Sequence, residues 1–137
     1  MKWPMRICWT YLLGRGSGTD TVIENDATAG NTDIALFLGG IEVEQLWFRE
    51  VGKGKNTGLE VSVIGTDDKL IIDKWFVGSQ YRVEQFTTTD GNRTLMESQV
   101  QNLVDAMAAF SPPAAGQTSL PENYQTALAS VIAANWQ

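Results

Sequence analysis

The sequence predicts a mainly β fold with two C-terminal helices, an α+β protein in which antiparallel strands form a sandwich-like arrangement. Short runs of β-prone residues, separated by glycine-containing turns, occupy the first two-thirds of the chain. From Ser98 onward the apolar residues recur at helical spacing instead. With 137 residues, of which 43% are hydrophobic, the chain is long enough to bury the core of a single domain.

Eight strands are expected, and turn residues separate most of them. Alternation is clearest where Leu59, Val61 and Val63 point to one side and the residues between them point to the other. The turns are a glycine-rich segment at 14–18, Gly39-Gly40, a flexible loop at 52–58, a tight turn at 65–69, Gly78-Ser79 and the Asp90-Gly91 hairpin. The expected strands cover residues 9–13, 20–24, 33–38, 41–51, 59–64, 70–75, 81–87 and 93–96.

Two helices are expected after the strands, the first ending at Pro112-Pro113 and the second beginning near Pro121. Capping-box spacing marks both starts: Ser98 with Gln101, and Ser119 with Glu122. The apolar stripes consist of Val100, Leu103, Val104 and Met107 in the first helix, and of Tyr124, Ala127, Leu128, Val131, Ile132 and Trp136 in the second.

Composition excludes several classes of function. A net charge of −6 leaves no basic stripe for nucleic acid or an anionic membrane. The absence of histidine excludes the usual zinc sites and every histidine-dependent triad, and the single cysteine, Cys8, excludes an internal disulfide. No apolar run reaches the roughly 18–20 residues that span a bilayer. Residues 1–13 faintly resemble a signal peptide, but a strand is favoured there.

The segment Gly16-Ser17-Gly18-Thr19-Asp20-Thr21-Val22 fits the G-x-G-x-D-x-apolar core of the calcium-binding nonapeptide repeat. Gly16 and Gly18 would present backbone carbonyls, Asp20 a carboxylate, and Val22 would enter the core. Calcium takes about 6–8 oxygen ligands, so one copy supplies only half a site. A metal-free turn that leads into a strand explains the spacing equally well. Asp33 resembles a second, decayed ligand, but its offset from Asp20 does not match a nine-residue repeat.

Two further groups of residues have competing interpretations. A glycosidase could use paired carboxylates, yet turn formation and solvent-facing strand positions explain the candidates, and we expect no catalytic activity. An aromatic platform would suit sugar binding, but a sheet core needs the same residues and is favoured. Burial of both Trp47 and Trp75 would remove the support for a sugar site. The carboxylates are Glu42, Glu44, Glu60, Asp67 and Asp68, and the aromatics are Trp47, Phe48, Trp75, Phe76, Tyr81 and Phe86.

Taken together, these segments resemble the C-terminal region of RTX proteins, the calcium-binding, haemolysin-like substrates of type I secretion. The part after the glycine turn is similar to their haemolysin-type calcium-binding-related domain. The resemblance covers roughly residues 10–137, and the block from Trp75-Phe76 to Gln85-Phe86 is its most specific part. The segments that carry it are 11–22, 43–48, 59–66, Trp75-Phe76 and 81–86.

The resemblance implies a secreted, extracellular, non-catalytic module of a toxin-related group. Its parts would be a degenerate end of the β-roll at 1–22, a capping domain at 23–97 and a helical tail at 98–137 that carries the export signal. Its partners would be the upstream β-roll of a parent protein and the ABC transporter of type I secretion, and open sheet edges could pair into homo-oligomers. An independent carbohydrate- or surface-binding β module is the alternative.

The sequence departs from the family pattern in two places. Ile7-Cys8-Trp9 stands where members usually carry Gly-Asn-Asp, so an acidic calcium ligand is lost and residues 1–9 look foreign to the motif. The loop at 53–58 looks longer than the tight hairpin of the family, an insertion that surface loops tolerate.

Overall fold

The computed structural model describes residues 10–14, 16, 18–22, 33–52, 57–78, 81–114 and 116–137. Eight strands and two helices follow one another, which confirms the expected fold class. The strands are β1 (Thr10–Leu13), β2 (Thr19–Val22), β3 (Ile34–Phe37), β4 (Leu46–Val51), β5 (Gly58–Val63), β6 (Lys69–Ile72), β7 (Gln85–Thr88) and β8 (Arg93–Met96). The helices are α1 (Glu97–Met107) and α2 (Glu122–Asn135).

The strands form two four-stranded sheets. The first sheet has the order β1-β3-β7-β8, and the second has the order β2-β6-β5-β4. In the described part of the chain, β1–β3, β3–β7 and β2–β6 are parallel, whereas β4–β5, β5–β6 and β7–β8 are antiparallel. The expectation of antiparallel strands throughout was therefore wrong for the parallel pairs. The reason is that β1, β2, β3 and β4 alternate between the two sheets, so strands that follow one another there cannot form hairpins.

The inner faces of the two sheets enclose an apolar core. In β5 the alternating residues Leu59, Val61 and Val63 are all fully buried, as their spacing predicted. Phe48 of β4 in the second sheet and Phe86 of β7 in the first sheet meet edge to face, with 5.9 Å between their ring centroids. These contacts make the two sheets one hydrophobic unit.

The helices pack against this sandwich by the predicted stripes. Val100, Leu103, Val104 and Met107 of α1 are buried, as are Leu128 and Ile132 of α2, while Ala127 is exposed. Within the described ranges, neither helix is long and apolar enough to cross a bilayer.

Both expected capping boxes were wrong. Met96 and Pro121 are the N-cap residues, and neither makes a side-chain cap. The backbone N–H of Glu97 donates to the carbonyl of Glu84 at 2.9 Å, so the chain passes directly from β8 into α1 and Ser98 lies inside the first turn.

Two other boundaries differ from expectation. The start of the predicted strand 41–51 is instead a loop and a 3-10 turn, Val43–Gln45, and residues 73–77 form turns although Trp75 among them is buried. Several predictions fall outside the described residues: those on residues 1–9, on 23–32 and on the inserted loop at 53–56. The division of the chain at 22/23 and 97/98 stays a prediction.

Candidate functional site: the glycine turn and the end strands

The glycine turn joins the end strand of one sheet to the end strand of the other. Among the described strands, β1 is terminal in the first sheet and β2 is terminal in the second, and residues 14–18 connect them in the chain. Gly16 has φ +86° and Gly18 has φ +75°, in the left-handed region that glycine adopts without strain. A Cβ atom would meet nothing within 4 Å at either position, so the backbone angle, and not space, is what requires glycine.

The turn presents its amides to a carboxylate. The N–H of Gly16 donates to Oδ2 of Asp68 and the N–H of Gly18 donates to Oδ1, each at 2.9 Å. Asp68 is only 5% exposed, and it lies just before β6, the parallel neighbour of β2. The sequence placed Asp68 in a turn but gave no sign of this contact, because the partners are at least 50 residues apart.

The β5–β6 turn fixes the backbone of Asp68. Its backbone N–H donates to Oγ1 of Thr66 at 3.0 Å, and the Thr66 hydroxyl donates to the carbonyl of Val63 at 2.8 Å. The carbonyl of Asp68 accepts from the N–H of Val63 at 2.9 Å. The β5–β6 turn is thus closed on itself, and the carboxylate is held towards the glycine turn.

Asp20 lies elsewhere in the arrangement. It is exposed in β2, paired in register with Leu70, and it lines a cleft of about 350 Å³ between the two end strands. Tyr11 and Leu12 of β1 form the opposite wall of the cleft. Leu12 is 59% exposed, so much of its apolar side chain lies open to solvent in this cleft.

The residues assigned to calcium do not by themselves fit the ion. Gly16 and Gly18 direct N–H groups at Asp68, and the carbonyl of Gly18 accepts from the N–H of Lys69 at 3.0 Å in the strand ladder. Calcium needs several convergent oxygens, and across the described residues no three acidic or cysteine side chains lie close enough to hold a metal. The half-site at Gly16, Gly18 and Asp20 stays a prediction that requires ligands from another turn.

Two more carboxylates, Glu84 and the exposed Asp90, each accept a backbone N–H from beside a parallel neighbouring strand through one oxygen. The N–H of Asp33, just before β3, donates to Oε1 of Glu84, just before β7, at 2.8 Å. The N–H of Gly40, after β3, donates to Oδ2 of Asp90, after β7, at 2.7 Å. Asp33 is buried at the start of a strand in the first sheet, whereas Asp20 is exposed in the second sheet.

The other candidate residues have structural partners. Glu60 is 7% exposed, and its carboxylate accepts from Nε and Nη2 of Arg49 at 3.1 and 3.3 Å. Trp47 and Trp75 are each 2% exposed, so the aromatic support for a sugar-binding platform is gone. Trp75 instead packs against Phe86 at 5.7 Å between ring centroids, with the guanidinium of Arg82 5.4 Å from the centre of its indole ring.

The geometry defines a class of domain: a sandwich of two mixed sheets in which a glycine turn connects an end strand of one sheet to an end strand of the other. A family model described as "Haemolysin-type calcium binding protein related domain" matches residues 59–92 of this chain. This match confirms the resemblance over about a quarter of the sequence, including the Trp75-Phe76 to Gln85-Phe86 block. The matched segment also includes Asp68, Glu84 and Asp90. The backbone N–H groups that donate hydrogen bonds to these carboxylates lie upstream of the segment.

Proposed function

We propose that the chain is a non-catalytic module of a secreted RTX-type protein, which closes the end of a calcium-binding β-roll. The observation that carries this proposal is the unit β1–turn–β2. It contributes one strand to each sheet, both strands run parallel to their inner neighbours, and both are terminal among the strands that the structure describes. A preceding turn of a parallel roll would extend both sheets at once without any change of direction.

The cleft between the end strands suits that partner. Its walls include Leu12 and Tyr11, and burying their apolar surface stabilises a complex by about 25 cal/mol per Å². Asp20 lies exposed in the same cleft, where its carboxylate could join oxygen ligands from a preceding turn. Calcium would then be shared between this chain and the upstream roll. The opposite ends of the sheets are occupied by packing within the domain, because α1 contacts β4 and β8.

A chimera tests the capping role. Calcium-binding roll repeats placed before residue 10 are expected to fold at lower calcium concentration than the same repeats alone, measured by circular dichroism. Leu12→Asp should weaken this stabilisation, because it places a charge in the cleft. Val77→Asp is the matched control, since Val77 is 46% exposed and lies outside the cleft. Equal folding of the repeats with and without the domain would rule out capping.

We also propose that residues 98–137 carry the signal for the type I transporter. Among these residues, α2 buries Leu128 and Ile132 and packs against α1 in the folded domain, so a transporter would read it before folding. Deletion of residues 120–137 is expected to abolish export of a fused upstream passenger. Phe86→Ala, which disrupts the core and keeps the tail, is expected to leave export intact. Normal secretion of the truncated protein would contradict the transport role.

A further inference from the structure

Three carboxylates join the parallel strands at their ends. Asp68 accepts from the turn before β2, Glu84 from the start of β3, and Asp90 from the turn after β3. In each case the acceptor is next to the parallel neighbour of that strand, β6 for β2 and β7 for β3. The donor always lies upstream in the chain, 50–52 residues before the acceptor.

This arrangement has the opposite polarity from a cation site. Backbone N–H groups that converge on a point create a positive potential, which binds anions and repels cations. A carboxylate whose two oxygens both accept such bonds is held by charge-assisted hydrogen bonds, which are about twice as strong as neutral ones. Asp68 is in this position, with one oxygen on Gly16 and the other on Gly18.

We propose that Asp68, Glu84 and Asp90 take the place of bridging cations between the ends of neighbouring parallel strands, so that the described part of this chain folds and stays folded without calcium. The inference goes beyond the capping role and does not depend on it. All three acceptors lie within the segment that matches the family model, so the segment supplies its own link to each upstream strand end.

Thermal unfolding of the whole chain tests the proposal. The melting temperature is expected to be the same in a chelator such as EGTA and in millimolar calcium, with magnesium as the control for ionic strength. Asp68→Asn should lower it by roughly 5 °C in both conditions, because the amide group places a donor against a backbone donor. Asp67→Asn is the matched control, since Asp67 is the exposed neighbour in the same turn.

Amide resonances give a second measurement. In Asp68→Asn the N–H signals of Gly16 and Gly18 should shift and exchange faster with solvent, while in Asp67→Asn they should stay in place. If Asp68→Asn does not fold, Glu84→Gln and Asp90→Asn report on the other two links, through the N–H signals of Asp33 and Gly40.

Two results would overturn the proposal. One is a rise in the melting temperature of the natural chain in calcium that magnesium does not reproduce, and loss of that rise in Asp68→Asn would make Asp68 a calcium ligand. The other is an unchanged melting temperature in all three link variants. Failure of the capping proposal would look different, because it concerns the chimera with an upstream roll and leaves the unfolding of this chain unaffected.

Discussion

At the scale of single residues, two glycines with almost the same backbone angle face different surroundings. Gly65 has φ +78° and Gly91 has φ +80°, and both stand in turns that the sequence predicted. A Cβ atom on Gly65 would lie 2.8 Å from the backbone carbonyl atoms of Gln117. On Gly91 the nearest atom would be Cγ of Arg93 at 3.7 Å, an ordinary contact.

Comparing Gly65→Ala with Gly91→Ala should therefore separate the cost of the left-handed backbone angle from the cost of a steric clash at Gly65. Both substitutions carry the cost of a left-handed alanine, about 1–2 kcal/mol. Gly65→Ala should lose about 1–3 kcal/mol more, because backbone atoms of the segment before α2 must move. Urea denaturation of the two variants measures the difference. Equal losses would show that the 65–69 turn and residues 117–118 yield at little cost.

Phe86 is the residue on which the aromatic core depends. Its ring contacts Phe48 and Trp75, and it is fully buried. Phe86→Ala is expected to cost about 3–5 kcal/mol of unfolding free energy, since it removes large apolar area and leaves a cavity. Thr87→Ala is the control in the same strand, with an expected loss of about 1 kcal/mol from its hydroxyl contact with Thr94. Similar losses for both would contradict the role of the aromatic cluster.

At the scale of elements, the two residues that follow α2 are hydrogen-bonded to the edge strand β8. The N–H of Thr94 in β8 donates to the carbonyl of Gln137 at 2.8 Å, and the N–H of Gln137 donates to the carbonyl of Thr94 at 2.9 Å. Nη2 of Arg93 donates to the carbonyl of Trp136 at 2.7 Å. These bonds cover the outer edge of β8, which would otherwise offer unpaired backbone groups.

Trp136 anchors this closure, because it is 1% exposed and its ring lies 6.2 Å from that of Phe48. Trp136→Ala should cost about 3–5 kcal/mol and should also release the pairing of residue 137 with β8. Ser130→Ala, on the exposed side of α2, should be neutral or slightly stabilising through helix propensity. Calorimetry gives the stability, and exchange of the Thr94 N–H with solvent reports on the edge. A Thr94 amide that stays protected in Trp136→Ala would contradict this closure.

Element positions could be predicted from sequence because their signals are local. Glycine turns, alternation and the helical stripes placed all eight strands and both helices. The direction of each strand relative to its neighbours could not be predicted, because it depends on which of the two sheets the strand joins. The contact between Asp68 and the glycine turn was out of reach for the same reason, and the motif was interpreted through Asp20, which the structure leaves exposed. Burial of Trp47 and Trp75 followed the expected core packing.

At the scale of the whole molecule, the strands on either side of the glycine turn share one core with the later strands. β1 and β2 hydrogen-bond to β3 and β6, and Leu13 and Val22 are buried with the residues of the later strands. The strands nevertheless differ in how many neighbouring strands they hydrogen-bond to. β5 and β7 are flanked by strands on both sides, while β1 and β2 are terminal.

Hydrogen exchange should reveal this gradient of stability. Amides of β5 and β7 are expected to exchange only through global unfolding, because they lie inside their sheets and next to the aromatic core. Amides of β1 and β2 should exchange through local opening, at rates roughly tenfold or more above those of the β5 and β7 amides.

In a chimera with an upstream roll, protection of the β1 and β2 amides from exchange should rise towards that of β5, because a preceding turn would pair with both strands. Leu12→Asp should reduce that gain, and Val77→Asp should not. Uniform protection in the isolated chain would show that the end strands need no partner, and the argument for a roll-closing module would lose its physical basis.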